Sequence, residues 1–426
     1  LGYGLGENPA TGASRRVLHL FSAGAARRFC FAGNLRYTGG MDRTPTFFFY
    51  DLETSGFDPK AQRIMQFAGQ RTDMAMDPIG EPVNVLVTLT DDVLPDPAAI
   101  VLTGITPQKT VEEGYSEPDF LRLIHEQVFT PHTTILGFNS IRFDDEFMRH
   151  TLYRNFYDPY EWCWQDDRSR WDMLDVVRMT RALRPDGIVW PFDDAGQPMN
   201  RLEKLSAANG LDHEQAHDAL SDVLALIGVA KLIHTKQPQL FDYLYKLRDK
   251  KEVAKLVNLE NPKPFVYSSG RYPKATLHTT VAFPIASGSK PGSVIVYDLR
   301  QDPSQWLGKT LDELKAIRFA TWEKRQQEGF VPLPVKELCY NKSPAVAPLG
   351  VLDAAAEERI RLDMATIGKH LSQLMQHREL RELLGQIFAR NESFPKARDV
   401  DGALYDGFVN DRDKVTMRAI RAADRQ

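Results

Sequence analysis

The chain has 426 residues, 42% hydrophobic and 26% charged, with a formal net charge of −4. These values fit a globular protein of two or three domains, and no window approaches the roughly 18 apolar residues of a membrane-spanning helix. The mildly acidic balance excludes nucleic-acid binding by bulk positive charge, so any such binding needs a local basic groove. Cys30, Cys163 and Cys339 are scattered without a CxxC pair, which argues against a disulfide framework or a zinc site and for a reducing compartment.

Residues 1–40 carry five arginines and one acid, +4 in all, and leave −8 on the remainder. They are rich in Gly and Ala, weakly periodic, and precede Met41. Residues 1–42 therefore read as a non-native or upstream-translated leader, with an Arg-rich organellar presequence as the rival reading.

From about residue 47 the pattern alternates strand and helix. "TFFFYDLE", "PVNVLVTLTD" (82–91) and "TTILGFN" (133–139) are strands by composition. Helical spacing runs over 117–129, 144–156, 201–210, where Gly210 marks the stop, and 217–233. Such alternation predicts an α/β fold around one central sheet. Beyond about 238, runs such as "KPFVYSSGRYPKATLHTTVAFPI" and "GSVIVYDLR" predict short strands of a smaller β-rich domain. A helical segment at 357–391 and a last helix near the end of the chain follow.

The informative residues are acids in unusual company. Asp51 and Glu53 stand two apart on the first strand, so they share a face directly after four aromatics. They repel each other unless a cation lies between them; the competing reading is a strand that has ended in a solvated turn. "VIVYDLR" (294–300) is an internal control, because there Arg300 supplies Asp298 with a charge partner. In "GFNSIRFDDEF", Asp144 sits between two aromatics, whereas Asp145 reads as an ordinary helix N-terminal acid. Asp222 lies on an apolar helix, and His217 is five residues before it. Four carboxylates suit hard Mg²⁺ or Mn²⁺ and are more than one ion needs. They suit two ions about 3.5–4 Å apart on a phosphodiester, with the histidine as a base of near-neutral pKa.

The motifs "DLE", "GFNSIRFDD" and "HDALSD" resemble those of the DEDDh (DnaQ-like) 3′→5′ exonucleases. "VLTGITPQ", "RFDDEFMRHTLYRNFYDPYEW", "SRWDMLDVVR", "RLEKLSAANG", "QPQLFDYLYKLR" and "LYDGFVNDRD" are similar to the bacterial exodeoxyribonuclease I family. The likeness runs from about 47 to 416 and is weakest between 268 and 392. It implies a ribonuclease-H-like exonuclease domain with a central mixed sheet (43–236), an SH3-like β-rich domain (237–391) and the start of a helical C-terminal domain (392–426), within which the chain stops. The implied activity is 3′→5′ hydrolysis of single-stranded DNA to nucleoside 5′-monophosphates in DNA repair and recombination, by a cytoplasmic bacterial monomer.

The resemblance also implies residue roles. Asp51, Glu53 and Asp222 bind two Mg²⁺ ions, with Mn²⁺ as a substitute; Asp144 supports the second ion, and His217 is the general base. Glu53 and Arg201 contact the substrate, and Arg149, Tyr160, Trp164 and Arg178 hold the strand by charge and stacking. The acidic tail of single-stranded-DNA-binding protein is the implied partner, with Tyr243 a candidate for its pocket. An RNA-directed exonuclease, and a nucleic-acid-binding scaffold with a vestigial site, are the alternatives.

Overall fold

The computed structural model describes residues 44–211, 218–389, 396–397 and 399–423. The leader assigned to 1–42 lies outside them, as does His217. Two five-stranded sheets organise the rest. The first contains β1 (Thr46–Thr54), β2 (Ile64–Thr72), β3 (Val83–Leu86), β4 (Thr133–Gly137) and β5 (Ser169–Asp172), in the order β3-β2-β1-β4-β5. β1 is antiparallel to β2 and parallel to β4, so the sheet is mixed, as the alternating pattern predicts. Its helices are α1 (Pro97–Thr103), α2 (Pro107–Glu113), α3 (Glu117–Gln127), α4 (Asp144–Arg154), α5 (Met173–Leu183), α6 (Leu202–Ala208), α7 (Ala219–Lys236), α8 (Pro238–Lys246) and α9 (Lys250–Leu256).

The aromatic run explains why β1 is central. Phe47 and Phe49 face one core with Val223 and Leu226 of α7, while Phe48 and Tyr50 face the other with Phe67, Phe120 and Phe147. All four side chains are at most 2% exposed. Burial of that order stabilises by about 2 kcal/mol per side chain and fixes the register of everything that follows on the strand. Asp51 and Glu53 continue the Phe47–Phe49 face and so point toward α7. α8 closes the same face, where Trp171 meets Phe241 at 5.0 Å and Tyr245 at 5.2 Å between ring centroids.

The second sheet contains β6 (Phe265–Ser268), β7 (Thr279–Ser287), β8 (Ser293–Asp298), β9 (Val335–Cys339) and β10 (Ala345–Pro348), antiparallel throughout in the order β10-β6-β7-β8-β9. α10 (Leu311–Arg318), α11 (Trp322–Arg325), α12 (Ala354–Arg359), α13 (Met364–Gln376), α14 (Arg378–Gln386) and α15 (Asp411–Ala422) follow or interrupt it. The single helical run expected at 357–391 is three helices: the backbone turns left-handed at Arg361, Asp363 caps α13, and the chain turns again at His377. The strand expected at 82–91 narrows to β3, because beyond Leu86 only isolated bridge pairing continues.

The control stretch also needs correction. Asp298 is held by the Thr280 hydroxyl and by the backbone N–H of Arg300 at 3.1 Å. The Arg300 guanidinium instead donates to the carbonyls of Thr279, Ile360 and Arg361. Asp298 is satisfied without a cation, but by a hydroxyl and an amide more than by a charge.

Candidate active site

Three elements converge at the end of β1. β1 supplies Asp51 and Glu53. The β4–α4 turn supplies Asp144: Gly137 approaches the chain so closely that a Cβ there would lie 2.6 Å from Ser140 Cβ and 3.1 Å from Tyr50 O, and Asn139 is left-handed at φ 67°. α7 supplies Asp222 one turn after its N-cap, Asp218, whose carboxylate accepts from Ser221 N and from Gln66 Nε2 at 3.2 Å. Carboxylate oxygens of Asp51, Glu53 and Asp222 lie within 4.8 Å of one another.

The electrostatics are those of crowded acids. Burial, then the charges of Asp144, Asp222 and Glu53, push the Asp51 carboxyl well above the usual range. Burial, then Asp222 and Asp218, bring Glu53 to about 7. Asp51 and Glu53 retain a partly exposed edge, so the cluster opens onto solvent. Such a donor set, oxygen-only and crowded by like charge, fits a hard divalent cation.

The structure separates the remaining acids by role. Asp144 is 5% exposed and lies close enough to raise Asp51, yet stands outside the trio whose oxygens converge. Asp145 does stand in the first turn of α4, as expected of a helix N-terminal acid, but it is 1% exposed, ion-paired with Arg170 and bonded by the Tyr50 hydroxyl at 2.7 Å. Its partner lies 25 residues downstream on β5, beyond the reach of local sequence reasoning.

A cavity of about 500 Å³ adjoins the cluster, lined by Asp51, Asp222, Asn139, Arg178, Arg201 and residues of the second sheet's unit, Lys274 and His278. It brings Arg178 and Arg201 beside the acids, as expected. Arg178 is fixed by Asp175 at 2.6 Å, while Arg201 is largely exposed. Arg149, Tyr160 and Trp164 do not line this cavity. Arg149 is 8% exposed, bonds Glu146 at 2.7 Å and lies 5.5 Å over the Tyr160 ring. Trp164 is 61% exposed, whereas the neighbouring Trp162 and Trp171 are core.

Sequence reasoning missed Asp172. It caps α5 and accepts from the backbone N–H groups of Asn139 and Leu174, both at 2.9 Å, and Ile141 at 3.2 Å. It thereby ties the turn that carries Asp144 to β5. Asp218, Lys274 and His278 were also missed; only Asp218 had a local signal, as an N-cap acid before an apolar run.

Family models match two stretches: an exonuclease model over residues 48–230 and an exonuclease I SH3-like domain model over 248–390. The chain is 41% identical over 378 residues to exodeoxyribonuclease I of Haemophilus influenzae, covering 88% of this chain and 80% of that one. It is 41% identical over 376 residues to the Escherichia coli exodeoxyribonuclease I, covering 88% and 79%. Among solved structures, E. coli exonuclease I in complex with a dA16 oligonucleotide superposes with a TM-score of 0.86 at 40% identity, covering 89% of this chain and 81% of that one. The zinc-bound form of the E. coli enzyme–single-stranded DNA complex gives 0.85 at 39%, with the same coverage.

Proposed function

The chain belongs to the exodeoxyribonuclease I family, and from that premise we infer that it hydrolyses single-stranded DNA from the 3′ end, releasing nucleoside 5′-monophosphates. The observation that carries the assignment in this chain is the convergence of Asp51, Glu53 and Asp222 within 4.8 Å at the mouth of a cavity that also presents Arg178 and Arg201. The enzyme uses a divalent metal; we take Mg²⁺ as the ion, with Asp51, Glu53 and Asp222 holding it and Asp144 in support. When bound, such ions neutralise the phosphodiester and lower the pKa of the attacking water.

The protein's own residues then have separable tasks. The four buried aromatics hold Asp51 and Glu53 on a stiff strand. Arg178, itself fixed by Asp175, and Arg201 at the rim attract and orient the phosphates. His217 takes the proton of the attacking water, a role assigned by its place in "HDALSD". Glu53 lies beside the terminal nucleotide. Arg149, Tyr160 and Trp164 hold the strand farther from its 3′ end.

The wider setting is part of the same proposal: a cytoplasmic monomer working in DNA repair and recombination beside single-stranded-DNA-binding protein. The unpaired cysteines and the half-buried Tyr243 on α8 support that compartment and that docking face.

The test is a gel of 5′-labelled DNA, single-stranded or duplex, beside RNA of the same sequence. Progressive shortening of the single DNA strand in Mg²⁺, arrested by EDTA and by Asp51→Asn, is expected. Equal cutting of RNA, or turnover by Asp51→Asn at the wild-type rate, refutes the assignment.

A further inference from the structure

Beyond α14 the chain folds back onto the exonuclease domain. Val400–Tyr405 form a tight 3-10 turn that packs against α4. Asp399 caps the turn, Leu404 is 2% exposed, and Asp401 pairs with Arg63 at 3.0 Å. These anchors fix where the last side chain of the turn, Tyr405, must lie. Its ring meets that of His150 edge to face, with centroids 6.0 Å apart. Its hydroxyl donates to Glu146 Oε2, 259 residues earlier in the chain.

The other oxygen of that carboxylate, Oε1, accepts from Arg149 Nη1 at 2.7 Å, and Arg149 lies 5.5 Å over the Tyr160 ring. Tyr405, Glu146, Arg149 and Tyr160 thus form a relay whose middle two members share α4 and whose outer two do not. An acid and an arginine three residues apart on a helix hold each other weakly, because both long side chains keep much of their rotamer freedom. A grip from outside the helix removes that freedom from the carboxylate.

The buried Nε–H of Arg149 finds no acceptor among the described residues, so the guanidinium is not locked from its other edge. The charge of Glu146 also reaches Lys342, on the turn before β10, which competes for the same carboxylate. Without the Tyr405 hydroxyl, Glu146 is free to turn toward Lys342 and release Arg149. Burial, then the Glu146 carboxylate, holds the Tyr405 phenol well above its usual range, so it remains a hydrogen-bond donor at neutral pH.

We propose that Tyr405 is a positioning residue for the exonuclease reaction: it holds Glu146 and, through Glu146, sets the Arg149 guanidinium on the face of Tyr160 where it meets the strand. The proposal rests on the nuclease reading above, which places Arg149 and Tyr160 among the strand contacts. Tyr405 acts through a hydrogen bond and without touching the strand itself.

Tyr405→Phe removes one oxygen and keeps the ring, the buried Leu404 and the Asp401–Arg63 pair. In the full chain, with Mg²⁺ and a labelled oligothymidylate, its KM should rise about three- to tenfold, the worth of one hydrogen bond, with kcat on saturating strand and the melting temperature held. In an Arg149→Ala background the same substitution should add nothing, because the group through which it acts is gone. A normal KM for Tyr405→Phe overturns the proposal while wild-type activity stands, and a deficit confined to Tyr405→Leu assigns the ring to stacking instead. An equal deficit with and without Arg149 also overturns it, as does a fall of kcat and melting temperature in step with the change in KM, the mark of a general loss of fold. A wild-type protein that neither binds nor shortens the strand sinks the nuclease reading and this one together.

Discussion

Replacing Glu53 by Gln separates the chemistry of the cluster from its cost to the fold. In metal-free protein, Glu53 faces the charges of Asp51 and Asp222 across at most 4.8 Å. Two unit charges at that distance repel by about 3 kcal/mol at an effective dielectric constant of about 20. Part of this is relieved because Glu53, brought to about 7, takes up a proton near neutrality. Partial solvent exposure screens more, which leaves about 1–3 kcal/mol to be gained by neutralising one member. The glutamine protein should therefore melt a few degrees above wild type in EDTA. Divalent cation reverses the order. At a hundred times its dissociation constant, an ion bound only by the folded state stabilises wild type by about 2.7 kcal/mol, and the variant, with one carboxylate fewer, responds less. Thermal melts of both proteins in EDTA and over a Mg²⁺ series, with hydrolysis measured on the same samples, decide the matter. Hydrolysis by the variant should fall to background. A variant that melts below wild type in EDTA, or a wild-type melting temperature indifferent to Mg²⁺, would show that Glu53 serves packing and not a cation.

Other substitutions probe the supports around the cluster. Arg170→Met should cost about 3–5 kcal/mol in urea or thermal melts, because it leaves the Asp145 carboxylate buried with only the Tyr50 hydroxyl as side-chain hydrogen-bond partner; a loss under 1 kcal/mol would show that the ion pair is not what holds Asp145 in the core. Gly270→Ala places a Cβ 2.8–3.0 Å from the Arg178 guanidinium, so the KM for single-stranded DNA should rise severalfold with the melting temperature held; an unchanged KM removes Arg178 from the strand track. Lys336 gives a pH signature. Its folded pKa of about 7 lies below the unfolded value, so the unfolded chain binds more protons between about pH 7 and 10 and stability rises with pH across that window. Lys336→Met should flatten the rise, as read from denaturant titrations at several pH values; parallel wild-type and variant curves would place the amine in solvent.

The division between what the sequence disclosed and what it withheld follows the range of the interactions. The aromatic run before Asp51, the acid pair on one strand face and the acid on an apolar helix are local anomalies, visible as charge where burial is expected, and the structure brings Asp51, Glu53 and Asp222 together. The burial of Asp145 was not legible because its partner Arg170 arrives on another strand, and a helix-start acid looks the same whether solvated or buried. β2 and β5 were not singled out: "IMQFAGQRT" is buried along nearly its whole length and so lacks the alternation of a half-exposed strand, and "SRWD" is four residues long. Lys274 and His278 carry no local mark, since an exposed lysine in a loop is ordinary until a second domain is folded against it.

The same contrast explains how the fold tolerates its site. Burial and mutual repulsion raise Asp51 and Glu53 in the absence of a cation, and that disfavours their charged forms in the ligand-free chain. Two further acids hold the surroundings in place. Asp172 clamps the turn that leads to Asp144, and Asp175 holds Arg178 beside the acids. Asp172 is itself raised to about 6, chiefly by burial, although three backbone N–H groups bond its carboxylate. Its burial is therefore a cost accepted for position. A strand whose 3′ end enters this cavity meets acids that need cations and, in Arg178 and Arg201, cations suited to its phosphates. Substrate and metal should accordingly stabilise the protein together by more than the sum of their separate effects. Melts with Mn²⁺ alone, strand alone and both, on a protein disabled by His217→Ala, measure that coupling. Strictly additive shifts would show that metal and strand are bound independently.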